Sequence, residues 1–251
     1  MLHQCYVLVT VSENRPASRW SRSRHGVDAA IAILGCVATA AALVLIWGAR
    51  ATVPHPLYVS ELGAEGMPTR YWFMAALLCL VLAGLAIGWA GRHVRADVPI
   101  LSLWTPAVSL WVSSGFFLVA SQVTCTSGCP VPYGPAFDWQ DLVHVVCAVV
   151  AFASACWGML QSAFARQHRA LAILSAVCCG TVATVAGAGG LMSLLRFQTE
   201  AGAWCEFAAT TIAVLWCGVF GGSTARQRLR GLVRLAPHIS GPSHSRMQEP
   251  A

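Results

Sequence analysis

A chain of 251 residues that is 57% hydrophobic and only 10% charged lies far below the roughly 25% charge of soluble domains, which excludes a fold that faces water on all sides. Its formal charge of +6 comes from 16 basic residues, all of them arginine. These flank apolar segments instead of forming one basic face, so nucleic acid is not an expected partner. The lack of lysine beside abundant Ala and Gly fits GC-rich coding, and the expected source is a high-GC bacterium.

In chain order, residues 1–26 read as a basic cytoplasmic N-terminal tail, 27–222 as one transmembrane domain, and 223–251 as a basic cytoplasmic C-terminal tail. A crossing needs about 20 apolar residues, and a backbone in lipid must satisfy its own hydrogen bonds, which makes such runs helices. Six segments qualify, at about 27–49, 71–91, 98–123, 142–164, 170–195 and 204–222. The expected fold is therefore all-α: a polytopic bundle of six transmembrane helices in the plasma membrane, with membrane lipids as its partners. An Arg-rich start, an apolar run and Ala49-Arg50-Ala51 imitate a cleaved signal. The run exceeds the usual signal core of about 7–15 residues, so it is expected to stay as the first helix.

Arginine placement sets the orientation. Arg15, Arg19, Arg22, Arg24, Arg92, Arg95, Arg166, Arg169, Arg226, Arg228, Arg230, Arg234 and Arg246 fall on one side, and only Arg50, Arg70 and Arg196 on the other. That asymmetry puts both termini in the cytoplasm. Trp72, Trp139 and Trp204 lie near predicted outer ends, as interfacial aromatic residues do.

The first outer loop, about 50–70, carries Pro54, Pro56, Gly66 and Pro68 and is expected to be ordered turns. Gly84 and Gly88 form a GxxxG in the second span, and Gly187, Gly189 and Gly190 crowd the fifth; both sets permit close helix approach. Pro106 is expected to kink the third span. The second outer loop, about 124–140, contains Cys125 and Cys129. On the oxidising side a disulfide is the leading reading, with free thiols and a metal pair as alternatives. No accompanying Cys or His pair supports a metal, and no cofactor is expected. The span cysteines read as small apolar fillers. Beyond Gly222, residues 225–235 read either as a short interfacial helix on anionic lipid or as a basic tail.

Candidate chemistry gathers at the outer side. Asp141 and His144 share a helical face at the start of the fourth span, and Glu206 falls in the expected first turn of the sixth. Ser60 and Glu61 descend from the first loop. Together Ser60, Glu61, Asp141, His144 and Glu206 form a candidate ligand-binding pocket, since ionisable groups below the interface are functional candidates by default. The plainer reading is that they cap and brace helix ends. As an enzyme, the chain would use Asp141 and His144 as acid and base. A transporter is the third reading, opposed by a midplane without charge.

The run Pro56-Leu-Tyr-Val-Ser60-Glu61-Leu-Gly63, with the Cys125/Cys129 loop leading into Asp141-Leu-Val-His144, resembles the bacterial membrane family called domain of unknown function 998. That family is similar in layout to the Frag/DRAM/Sfk membrane proteins, whose first loop has Asp where this chain has Glu61. The resemblance covers about 27–222. It implies six helices and a lipid- or ligand-interacting membrane protein without an assigned reaction.

Orientation is testable in a cysteine-free background. In intact cells an impermeant thiol reagent should label Arg196→Cys and spare Arg95→Cys; the reverse pattern would invert the topology.

Overall fold

Lipid tails are as apolar as leucine, so helices in lipid gain little by hiding apolar side chains from one another. Close backbone approach and a few buried polar contacts must position them instead. The computed structural model describes residues 19–130, 133, 135, 137–165 and 169–234. Arg15, Arg166, Arg246, Pro132 and Gly134, and the tails at 1–18 and 235–251, lie outside the described residues.

The described residues form six α-helices and no strand. They are α1 (Arg19–Ala51), α2 (Arg70–Ala90), α3 (Pro106–Gln122), α4 (Trp139–Ala163), α5 (Arg169–Leu194) and α6 (Thr199–Arg234), with one 3-10 turn at Ser60–Gly63. All except α3 are long and apolar enough to cross a membrane. At 17 residues, α3 reaches about 26 Å at 1.5 Å per residue. Each helix packs against its sequence neighbours, α6 closes back on α1, and α2 also touches α6. The result is a ring of helices around a central axis.

Three expectations need correction. The third helix does not run from 98 with a kink at Pro106; it begins there, with Pro106 in its first turn and Thr105 extended before it. Proline disfavours helical backbone at the preceding residue and is itself at home at a helix start. The stretch 98–105 is unwound, and Gln161 of α4 compensates it from a fully buried position. Its Nε2 donates to the carbonyls of Leu101 (3.0 Å) and Trp104 (2.6 Å), while its Oε1 accepts from Ser109 (2.7 Å). Secondly, residues 225–234 are neither a separate interfacial helix nor an irregular tail but the continuation of α6. Thirdly, α6 starts at Thr199, not 204, so Glu206 lies two turns inside the helix. Glu200 in its first turn suits the positive end of the helix dipole.

Glycines fix the spacing. A Cβ on Gly84 or Gly88 would meet Ser114 and Trp111 of α3 and lie 3.3 Å from the backbone carbonyls of Leu110 and Ala107 respectively. The GxxxG therefore serves packing within the chain. Gly189 plays the same part between α5 and α6, with the Gly202 carbonyl at 3.1 Å. Ile87 of α2 is wholly buried and wedged between Gly35 of α1 and Gly221 of α6, where any Cβ would come within 2.6 and 2.8 Å of it.

Beyond Ile87, just past the end of α2, a polar tie joins the same three helices. Asp28 of α1, only 5% exposed, accepts two 3.1 Å hydrogen bonds from Arg92 just past α2. It also stands 3.6 Å from Arg228 of α6, which itself donates to the Ala90 carbonyl at 3.1 Å. Arg92 lies over the Trp89 ring. This triad joins α1, α2 and α6 at the arginine-rich end of the bundle. Asp28→Ala leaves two guanidinium groups facing each other without their carboxylate. Removing one partner of a fully buried pair costs about 3–5 kcal/mol; with both arginines partly hydrated, a loss of roughly 2–3 kcal/mol is expected. Denaturant unfolding in detergent reads it, and Arg95→Ala, exposed at the same end, should be neutral.

Candidate functional site

At the opposite end the two long loops fold inward and interlock. Pro54 and Pro56 keep the first loop out of helix, and the chain then tightens into the 3-10 turn. Leu57, Val59 and Leu62 of this loop are buried against Ile46, Phe73, Leu77 and Phe207. A Cβ on Gly63 would collide with the Phe73 ring, so only glycine lets the turn lie flat on α2. Glu65 N–H donates to the Cys125 carbonyl at 2.9 Å. Gln140 donates to Glu65 (3.0 Å) and to the Thr124 carbonyl (2.6 Å). The loops thus form one roof over the ring.

The five candidate residues fall into two groups. Asp141 is completely buried, and both its oxygens are engaged: Oδ1 accepts from Thr126 N–H and Oδ2 from the Thr126 hydroxyl, each at 2.7 Å. It braces the loop closed by the Cys125–Cys129 disulfide and does not face the central cavity. The helix cap is a different residue, Asp138, which accepts from Gln140 N–H. His144 shares the helical face of Asp141 but lies one turn deeper, with Nδ1 2.6 Å from the Val123 carbonyl. A carbonyl only accepts, so Nδ1 carries the hydrogen, which in a neutral imidazole leaves Nε2 as an acceptor.

Ser60, His144 and Glu206 line the head of the cavity. Glu206 accepts from Val59 N–H at 2.9 Å and from both the backbone N–H and the hydroxyl of Ser60. A carboxylate of α6 thereby holds the tip of the first loop down. Glu61 is close to Glu206 without being part of the cavity lining; it accepts from Tyr58 N–H at 2.7 Å and closes its own turn. Burial raises the Glu61 carboxyl above its ordinary range, against the opposing pull of the Tyr58 N–H and of His55.

Below this head the cavity descends between α1, α2, α3, α4 and α6, with no residue of α5 in its wall. Along α6 it runs from Glu206 to Cys217, eleven residues or about 16 Å. About 80 Å³ of it is open to the centre of a water-sized molecule. Spread evenly over that length, such a volume would leave room for about one hydrocarbon chain. Its wall is small or apolar: Ala148, Phe152, Ala155 and Ala213, with Trp216 near the foot. Three hydroxyls interrupt it, those of Ser113, Ser114 and Thr210. Ser114 returns its hydrogen to the Leu110 carbonyl. Thr210 is 5% exposed and its Oγ1 has no hydrogen-bond partner among the described residues.

Reading the sequence by its charges missed these hydroxyls and Trp216, which carry no motif. Their one signal was polarity inside otherwise apolar runs, as in Ser109-Leu-Trp-Val-Ser113-Ser114. Among the described residues no group of three or more His, Cys, Asp or Glu could hold a metal ion. No family model matches this chain, and neither curated proteins nor solved structures include one that matches it.

The Glu61 carboxyl makes pH a handle on the roof. A raised pKa means that the folded chain holds the proton more tightly than the unfolded one. Stability should therefore fall as pH climbs from the ordinary carboxylate range through the raised value. Melting curves across pH should show Glu61→Gln matching the native chain at the acid end and exceeding it above that window.

Proposed function

We propose that this chain is a six-span integral membrane protein of the bacterial plasma membrane, with cytoplasmic termini, that holds a single-chain amphiphile in its central cavity. The observation that carries this reading is one cavity lined by Ser60, His144 and Glu206 at its head and by Trp216 at its foot, with a largely apolar wall between them. α3 then serves as the sixth span, with the unwound 98–105 stretch completing its reach. The resemblance to domain of unknown function 998, drawn on the Ser60-Glu61 loop and the Cys125/Cys129 region, is part of the same proposal.

The head of the bore is rich in acceptors. It presents the Glu206 carboxylate and, in the neutral ring, the His144 Nε2 lone pair, with Glu61 close behind. Such a site suits a head group that donates hydrogen bonds, a hydroxyl or an amine, and disfavours a carboxylate. The bore admits one chain, so a two-chain lipid does not fit entirely within it. Membrane lipids are the natural source of such a ligand.

Two rival readings fit the geometry less well. An enzyme using Asp141 as acid or base would need to free a carboxylate that Thr126 fully occupies outside the cavity. A transporter would need polar groups along a path through the bundle, but the lower wall is apolar.

An ω-brominated dodecanol tests the proposal in the purified full-length chain. With its hydroxyl at Glu206 the bromine reaches the depth of Trp216, so saturable quenching of tryptophan fluorescence is expected and should vanish in Trp216→Phe. Glu206→Gln replaces one acceptor oxygen by an amide donor, and losing one hydrogen bond should weaken binding roughly fivefold. The brominated dodecanoate should bind less tightly than the alcohol. Quenching that never saturates, or that persists after Ala155→Phe fills the bore, would refute the reading.

A further inference from the structure

The Asp28 triad leaves two arginines of α6 without a role. Arg228 turns inward, but Arg226 and Arg230, one turn apart on the same ridge, are exposed and form no ion pair among the described residues. The nearby carboxylate, Asp28, is already shared by Arg92 and Arg228. Arg226 and Arg230 are therefore two exposed guanidinium groups with no ion-pair partner among the described residues.

Arg226 stands beside an outward-facing groove of about 480 Å³ between α1 and α6. Exposed Ile33, Val37 and Leu229 raise its edges, while Ala40 and Gly222 are too small to fill it. A side chain on Gly222 would meet nothing within 4 Å. Apart from Arg226 the lining has no charged side chain, so a hydrophilic ligand would find little to bond along its length. A hydrocarbon chain with an anion at one end matches both the apolar hollow and the cation beside it.

We propose that this groove binds an anionic phospholipid. One acyl chain lies along α1 and α6, the phosphate sits on the Arg226 guanidinium, and Arg230 faces the head group from the next turn. A planar guanidinium can grip two phosphate oxygens at once. Basic residues at the membrane surface favour anionic over zwitterionic lipid. The site is separate from the central cavity. It lies on the outer surface of the ring at the arginine-rich end, and takes a ligand of opposite head-group preference.

Native mass spectrometry of the full chain, exchanged into detergent with defined lipid, tests the assignment. Phosphatidylglycerol should remain bound at concentrations where phosphatidylethanolamine is lost. Arg226→Gln should weaken its retention roughly fivefold, the usual effect of one arginine at an anionic surface. Gly222→Leu should fill the groove and lower retention as much without shifting the melting temperature. Arg196→Gln, which removes the same charge from the opposite end, should leave retention unchanged. Equal retention of both lipids, equal loss in Arg196→Gln, or full retention in Gly222→Leu would each overturn the proposal. So would displacement of the lipid by glycerol phosphate at matching concentration, which would indicate a phosphate site without a chain groove.

Discussion

The architecture turns on the contact of three helices at Ile87. Because lipid provides no hydrophobic drive for helices to associate, α1, α2 and α6 must be held by geometry and polarity. Gly35 and Gly221 remove the side chains that would keep Ile87 out, and the Asp28–Arg92–Arg228 triad locks the same three helices about two turns further along α1 and α6. Polar pairing fixes the register and small residues fix the distance. With α1 and α6 clamped on α2, the ring is closed; Gly84 and Gly88 set the approach of α3 and Gly189 that of α5, which short connections tie to α4 and α6. The Trp216 indole, donating to Ser175 at 2.9 Å, joins α5 to α6 from within.

The other end is built on a different plan. Instead of helix-to-helix ion pairs it has two loops bound to each other and to helix ends. Asp141 and the Cys125–Cys129 bridge shape the second loop, Gln140 and Glu65 join it to the first, and Glu206 draws the first loop onto α6. Glu206 both anchors the loop and faces the cavity. Any occupant that bonds to its carboxylate competes with, or adds to, the contacts holding Val59 and Ser60. Loop position and cavity occupancy are thereby linked through one side chain.

How much of this the sequence revealed depends on the kind of residue involved. The helices were legible because long apolar runs have few alternatives, and five of the six expected segments correspond to helices long and apolar enough to cross a membrane. The third was misjudged at its start because hydropathy continues through 98–105 while the helix begins only at Pro106. The rescue of that stretch by Gln161, some 60 positions away, leaves no local pattern. In the site, proximity at one depth was legible for Ser60, His144 and Glu206. Helical spacing put Asp141 and His144 on one face but gave no account of Thr126, which takes both Asp141 oxygens. Asp28 was overlooked because a single acid at the edge of an apolar run resembles a boundary marker, and its arginines were read only for orientation.

The cavity departs from what packing alone would favour. An unpaired buried hydroxyl costs roughly 1–3 kcal/mol, and Thr210 carries one beside a cavity whose wall below the head is, apart from Ser113 and Ser114, largely apolar. Valine has nearly the same shape and would remove that cost. Phenylalanine or leucine in place of Ala148, Ala155 or Ala213 would close the void and add packing contacts, which an empty cavity forfeits. The helices flanking the void are not short of closely packed solutions, since the same α2 and α3 approach to backbone contact at Gly84 and Gly88. A chain able to pack that tightly, yet keeping a narrow passage with a polar head and an unpaired hydroxyl, departs from local stability at one connected place. Such departures concentrate where a protein does its work, and here that place is a passage the width of one hydrocarbon chain.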